Sequence, residues 1–220
     1  LNGGYTVEFG EKYYPALELK NDETDVFGRP SHKWLINNKK IGSYVDYDLL
    51  VKEYTAKVTG KDLYDLLGSN AIKESEVNIY IDGETEKGIL DSAYFTAGNL
   101  VKTNTKAVGA TGKGVLTQVF QDTDVKEITI VIINTYLAQA DGDYSEKQDK
   151  AELTVYSIKD ANNSANVEQY VKADDKESME VKGEDFGAIV EDMKEEDIVL
   201  VTVADGEIQT IAEPKTISDT

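Results

Sequence analysis

The chain has 220 residues, with 23 Lys and Arg against 42 Asp and Glu, a formal net charge of -19 and no cysteine. Such a charge repels phosphate backbones and anionic headgroups, which excludes nucleic acid as a partner class. Without cysteine there is no disulfide framework, no thiolate nucleophile and no Cys-ligated metal. No stretch approaches the roughly 18 consecutive apolar residues of a membrane span, so no membrane insertion is expected.

The length allows one sizeable domain or two small ones, and folding would bury roughly 70% of the surface an unfolded chain exposes. Thirteen Tyr against five Phe and one Trp is an aromatic choice suited to surfaces, because a phenol packs its ring and keeps its hydroxyl in water. The chain begins with Leu1 and no basic-then-apolar leader precedes it, which reads as a piece of a longer polypeptide.

From Leu1 to Leu50 the text is aromatic and irregular, and short alternating stretches at Tyr13 to Leu19 and Lys33 to Ile36 predict short strands between loops. A helix is predicted near residues 60–67. Thr59 supplies its N-cap, Asp62 the capping-box partner, Leu63, Leu66 and Leu67 one apolar face, and Gly68 the stop. Val77, Ile79 and Ile81 alternate with polar neighbours before Asp82-Gly83, the period of a half-buried strand.

The Gly-rich text from Thr103 to Gly114 is a linker or a long loop. Its GATGKG at Gly109 to Gly114 lacks both the first Gly and the Mg²⁺-binding hydroxyl of a phosphate loop. Val115 to Phe120 and Ile128 to Tyr136 predict a hairpin across Asp122 to Lys126, and Glu152 to Ile158 predicts another strand. Lys159 to Glu180 is poor in apolar residues and is expected to be exposed loop, with a short strand at Val167 to Val171. Within it Asn162-Asn163-Ser164 fits a glycosylation acceptor. Phe186, Ile189, Val190 and Met193 repeat at helical spacing within Asp185 to Met193, and a closing hairpin follows.

A strand-turn-strand phrase thus recurs at Val77 to Glu84, Thr117 to Ala138 and Ile198 to Ala212. The fold class it predicts is mainly β: small barrel- or sandwich-like β-modules with one or two short helices. The expected division is an N-terminal module over 1–105 and a C-terminal β-module over 106–220, with one composite domain as the alternative.

Three groups of residues are candidates for a site. Asp141, Asp143, Ser145 and Glu152 fall at positions one, three, five and twelve of an EF-hand-like count, an oxygen spacing that suits calcium. Glu146 stands where that loop wants Gly, so a solvated hairpin turn is the competing reading, and no other cofactor is implied. Tyr13, Tyr14, Trp34, Tyr44 and Tyr47 are the densest local supply of rings for a ligand face, or else ordinary core and rim. His32, the only histidine, needs a nucleophile and an orienting carboxylate to act in catalysis, and no GxSxG elbow supplies the first. A further acidic group, Asn21, Asp22, Glu23 and Asp25, reads as capping the Gly28 to Pro30 turn or pairing with Arg29.

Several phrases carry a resemblance. DVFGRPSHKW from Asp25, IGSYVD from Ile41, YTAKVTGKDLYDLLG from Tyr54, GVLTQVF from Gly114, ITIVIINTYLAQ from Ile128 and VLVTVADGEIQTIAEPK from Val199 are similar in wording and order to the regions that follow the S-layer homology repeats in clostridial (Firmicutes) cell-surface proteins. The resemblance covers most of the chain. It implies a secreted polypeptide at the cell surface of a Gram-positive bacterium, anchored in the wall by repeats outside this segment, with other surface proteins or wall polymers as partners. No catalytic residue comes with it. The expected function is therefore a non-enzymatic structural or interaction segment, with an extracellular carbohydrate- or protein-binding module and a cell-wall hydrolase as the rivals.

Overall fold

The computed structural model describes residues 7–9, 12–14, 18–36, 38–56, 58–85, 97–105, 114–159 and 170–214. The fold is mainly β, and its organising element is one long strand, Glu127–Ala140. In chain order the strands before it are β1 (Val7–Phe9), β2 (Lys12–Tyr14), β3 (Glu18–Asp22), β4 (Ser31–Ile36), β5 (Lys39–Val45), β6 (Leu50–Tyr54), β7 (Glu76–Ile81), β8 (Glu84–Thr85) and β9 (Val115–Asp122), so that it is β10. After it come β11 (Ala151–Lys159), β12 (Tyr170–Val181), β13 (Ile198–Ala204) and β14 (Glu207–Ala212). Four short helices complete the set: α1 (Gly60–Leu67), α2 (Ser69–Glu74), α3 (Gly183–Phe186) and α4 (Ala188–Glu191).

β10 changes partners on both edges part-way along its length. Its first half pairs antiparallel with β9 and parallel with β7, Ile132 lying opposite Thr117 and Ile81. Its second half pairs antiparallel with β11 and β13, Leu137 lying opposite Tyr156 and Leu200. One half-sheet therefore runs β6-β9-β10-β7-β8 and the other β12-β11-β10-β13-β14. Two smaller sheets, β1-β2 and β3-β4-β5, stand apart from it in hydrogen bonding.

The side chains of β10 explain the change. Residues Ile128 to Asn134 are all buried, the pattern of a strand covered on both faces. From Thr135 to Ala140 buried and half-exposed residues alternate, as on a strand with one wet face. Ile128, Ile130 and Ile132 join Ile79, Ile81, Val115 and Val119 under α1 and α2, which contribute Leu63, Leu67 and Ile72. Tyr136, Ala138 and Ala140 join Leu153, Val181 and Val201 under α3 and α4, which contribute Phe186, Ile189 and Val190. Val131 and Ile133, on the opposite face, pack with Phe27, Phe120 and Ala204.

Between the two larger cores sits a carboxylate. Asp82, in the β7–β8 turn at φ 51°, is 6% exposed. It accepts from the Asn134 N–H at 2.8 Å, from Asn134 Nδ2 at 2.9 Å and from the Tyr136 hydroxyl at 2.5 Å. The β7 ladder ends at Ile132 and the β13 ladder reaches no further than Thr135, so the carboxylate satisfies the β10 edge between them. The neighbouring turn locks the position. Gly83 and Gly28 have φ of 81° and 90°, and an added Cβ would lie 2.3 Å from the Val26 carbonyl oxygen and 2.1 Å from the Tyr80 ring respectively.

Several sequence expectations meet the structure directly. α1 has the full capping box between Thr59 and Asp62, and its end at Gly68 is as predicted. The hairpin β9–β10 turns over 123–126. Other expectations need correction. The stretch expected as loop from Lys159 to Glu180 holds all but the last residue of the 12-residue β12. β12 is an edge strand, and where its side chains are described the inward residues Met179 and Val181 alternate with exposed Ser178 and Glu180, so its low apolar content reflects a wet face. The helical patch at Asp185 to Met193 is broken in two by Gly187, at φ 63° and ψ -144°.

The boundary expected at 105/106 does not separate two sheets. β6 and β7, before it, hydrogen-bond to β9 and β10, after it. Nor is the recurring phrase a repeated fold, because β7 lies parallel to β10 and β13 antiparallel to it. Most of the linker at 103–114, the 162–164 tripeptide and the first three residues of the strand expected at Val167 to Val171 lie outside the described residues, and its last two begin β12.

Burial pushes the Asp82 carboxyl above the usual range, against its three hydrogen bonds, which pull it down. Asp82→Ala leaves those donors unsatisfied and should cost about 3 kcal/mol in denaturant unfolding, read as a lower midpoint at unchanged slope. A raised carboxyl pKa means that the folded state holds its proton longer than the unfolded one. Its contribution favours folding more as pH falls through the folded-state value, and levels off below the unfolded value. The gap between wild type and Asp82→Ala should therefore widen from pH 7 towards pH 4.

Candidate functional site

The acidic hairpin at 141–152 and the aromatic sheet β3-β4-β5 are the two places where the sequence put candidate ligands. In the first, the β10–β11 connection closes as a hairpin through Asp141 N–H to the Glu152 carbonyl at 2.9 Å and a bridge between Ser145 and Lys150. Asp141, Asp143, Ser145 and Glu152 all line one open cavity of about 160 Å³, together with Lys150.

Each carboxylate there is engaged with the protein. Asp141 accepts from the Thr154 hydroxyl at 2.7 Å, and Asp143 from the Glu195 N–H at 3.0 Å and from Lys194 Nζ at 3.4 Å. Glu152 and Glu180 flank the Lys150 ammonium at 3.1 and 2.8 Å. The Glu195 N–H, helped by Lys194, holds the Asp143 carboxyl below its ordinary range, while Glu180 and Glu152 hold the Lys150 ammonium above its own. Among the described residues no three acidic or histidine side chains converge as metal ligands. The cation at the mouth of the hairpin is Lys150. Sequence reasoning counted oxygen spacings and missed it, because nothing local shows that Glu180 of β12 arrives beside it.

The same hairpin carries a structural pair. The Tyr144 hydroxyl donates to Asp149 Oδ1 at 2.6 Å, and Asp149 Oδ2 accepts from the Glu184 N–H at 3.3 Å, tying the loop to the start of α3. The Asp149 carboxylate pushes the Tyr144 phenol up to about 12. It is itself lowered by that hydroxyl and by the backbone amides of Glu184 and Gly183.

In the aromatic sheet, β4 pairs with β3 and β5 so that His32 lies opposite Tyr44 and Trp34 opposite Gly42 and Leu19. Directly opposed residues share a face, so His32, Tyr44 and Trp34 form one row. Ring centroids are 5.0 Å apart for His32 and Tyr44 and 6.2 Å for Trp34 and Tyr44, each pair tilted by 35°. Tyr44 and Leu19 are each 44% exposed, and Trp34 is half-buried. Gly42 carries no side chain between the rings, the nearest atom to an added Cβ being Trp34 Cδ1 at 3.8 Å.

His32 Nε2 meets Asp46 Oδ2 at 2.8 Å, and Asp46 Oδ1 also accepts from the Asp48 N–H, fixing the loop after β5 beneath the ring row. Tyr47 stands exposed in the 3₁₀ turn Tyr47–Leu49 and is not part of the row. Tyr13 and Tyr14 belong to β2, and their side chains lie outside the described residues. Of the five rings, the structure brings Trp34 and Tyr44 together and adds His32. Of the acidic group before Arg29, Asp25 does both things expected. Asp25 accepts from the Phe27 and Arg29 N–H groups and from Arg29 Nε at 2.6 Å, capping and pairing at once.

No protein-family model matches the chain, and neither a curated protein nor a solved structure matches it.

The engagement of Asp141, Asp143 and Glu152 by Thr154, Lys194, the Glu195 amide and Lys150 generates a direct expectation. Thermal midpoints measured with millimolar calcium and with excess chelator should agree within about 1 °C, since a ligand that does not bind the native state cannot shift its unfolding.

Proposed function

We propose that this chain is a non-enzymatic structural and interaction segment of a secreted, S-layer-associated bacterial surface protein. The observation that carries the reading is β10. A single 14-residue strand serves as the centre of both half-sheets, so neither half can leave without tearing ladders on both edges of the same strand. That construction suits a spacer that must stay rigid between its neighbours. The charge of -19 suits it too, because like-charged copies stay apart and solvated at high local density. The resemblance to regions following S-layer homology repeats supports a position at the wall for such a spacer.

Two measurements test the proposal. Antibodies raised against the isolated segment should label intact cells of the organism that encodes it, and labelling only after permeabilisation would defeat the surface assignment. Pulled from its ends in a single-molecule instrument, the segment should rupture its two half-sheets in one event. Two well-separated events would mean that β10 does not couple them.

A second reading, a carbohydrate-binding module, is favoured by the row His32, Tyr44 and Trp34, since sugar C–H faces stack on exposed rings beside polar groups. Trp34 is the only tryptophan, so its fluorescence reports on that row alone. On this reading, neutral wall oligosaccharide shifts the Trp34 emission saturably, and Tyr44→Ala weakens the titration about tenfold. An emission indifferent to the sugar removes the reading.

A further inference from the structure

The half-sheet β12-β11-β10-β13-β14 covers its core with one face and turns the other to solvent, and its register places two rows of side chains across that outer face. Ile198, Gln139, Thr154 and Ser178 stand opposite one another on β13, β10, β11 and β12. Two residues further along the strands come Leu200, Leu137, Tyr156 and Lys176. Ile198 is 39% exposed, and Gln139, Thr154, Tyr156, Leu137 and Leu200 are half-exposed, whereas Ala138, Val155 and Val199 between them are buried. In a chain where 30% of residues are charged, the only charge in the two rows is Lys176, at the β12 edge. The next row, Glu152 and Glu180, bounds the face and holds Lys150 between its carboxylates.

The polar groups of this face are held in place by their neighbours. The Tyr156 hydroxyl donates to Gln139 Oε1 at 3.2 Å, and the Thr154 hydroxyl to Asp141 Oδ1 at 2.7 Å. Each hydroxyl has thereby spent its one hydrogen and keeps lone pairs with which to accept. The Gln139 amide nitrogen meets no acceptor among the described residues, so it keeps its donors. Beside these groups the Tyr156 ring, Leu137 and Leu200 offer apolar surface. A charged partner finds no opposite charge inside the face, and a purely apolar one would strip water from the amide and hydroxyls without replacing its hydrogen bonds. A neutral chain that alternates C–H surface with hydroxyls meets both demands, because a hydroxyl can accept from Gln139 and donate to Tyr156 or Thr154. We infer that the outer face of β13-β10-β11-β12 binds a neutral oligosaccharide. Four strands about 4.8 Å apart make a row roughly 14 Å across, which spans more than one sugar ring. Side chains already fixed lower the ordering cost of binding. This face belongs to a different sheet from the row of Trp34 and Tyr44, and the inference depends neither on that row nor on where the protein resides.

The test uses the whole chain, isotope-labelled for amide NMR, with cellotetraose, maltotetraose and N-acetylchitotetraose as neutral probes and tetragalacturonate as the anionic one. At least one neutral tetrasaccharide should saturably shift the Gln139 side-chain amide and the backbone amides of 137–139, 154–156 and 198–200. Its binding should be at least tenfold tighter than that of tetragalacturonate. Gln139→Leu removes the donors, and Tyr156→Phe removes the hydroxyl while keeping the ring. Each variant should weaken binding at least fivefold at an unchanged thermal midpoint, since neither side chain belongs to the core. Trp34 emission reads the other row separately, so the two sugar readings fail independently. Silence of these amides towards all three neutral sugars, equal affinity for tetragalacturonate, shifts centred on another sheet face, or full-strength binding by both variants would each overturn the inference.

Discussion

Everything in the larger sheet depends on β10 being continuous through a point where its neighbours are not. At Ile133 and Asn134 the strand has lost β7 and not yet met β13, and an unpaired backbone group there would be buried. The turn that ends β7 resolves the problem, because Asp82 folds its carboxylate back onto the Asn134 N–H. Tyr136 and the Asn134 amide then converge on the same oxygen. Three donors make a buried carboxylate tolerable without a counter-cation, although the Asn134 Oδ1 atom finds no partner among the described residues. The apolar cores on either side cannot merge, since a polar cluster stands between them on the same face of the strand. The cluster fixes the register of both halves, because a slip of one residue would turn Asn134 and Tyr136 to the opposite face.

The helical pairs follow the same logic. Each half-sheet has one apolar face that strands alone cannot cover, and each is roofed by two short helices separated by a glycine at positive φ, Gly68 in one case and Gly187 in the other. Helices of four to eight residues have little stability of their own. α1 is fastened by its capping box, and the start of α3 by Asp149 from the β10–β11 hairpin. The hairpin that the sequence offered as a calcium loop is thus partly an anchor for the roof of the second core.

The sequence carried local features well and long-range ones poorly. The α1 capping box, the β9–β10 hairpin and the Asp-Gly turns at Asp82 and Asp205 are written in neighbouring residues. The change of burial pattern along β10 was also legible, since ITIVIIN is continuous and TYLAQA alternates. What the letters could not show was which strand fills which edge. Parallel pairing of β7 with β10 brings together residues about fifty positions apart, and the division expected at 105/106 falls between the two paired strands. β12 is hard to read as a strand because Ser178 and Glu180 face water between Met179 and Val181. In the candidate sites, the row of Trp34, Tyr44 and His32 follows from a register with a bulge between Trp34 and Leu35, which no composition count reveals. The meeting of Lys150 with Glu180 was hidden for the same reason.

The acidity itself takes on a different meaning once the partners are known. Aspartates recur where the backbone turns: Asp25 receives two amides, Asp122 receives those of Asp124 and Val125, Asp197 that of Lys194, and Asp143 and Asp149 those of Glu195 and Glu184. An aspartate is short enough to reach a nearby N–H, whereas a glutamate at the same place overshoots into solvent. Many of the chain's carboxylates are therefore joints of the fold, and their abundance is no sign of an ion. Three peripheral aspartates respond to acid in one sense and the centre in the other. Asp62, Asp143 and Asp149 are held below the ordinary range, so their support is present at neutral pH and is lost as pH falls through their folded values. Asp82, raised by burial, moves oppositely. Acid thus loosens the turns and helix starts at the periphery while the junction on β10 is still gaining, and the two half-sheets should stay joined after their roofs have begun to lift.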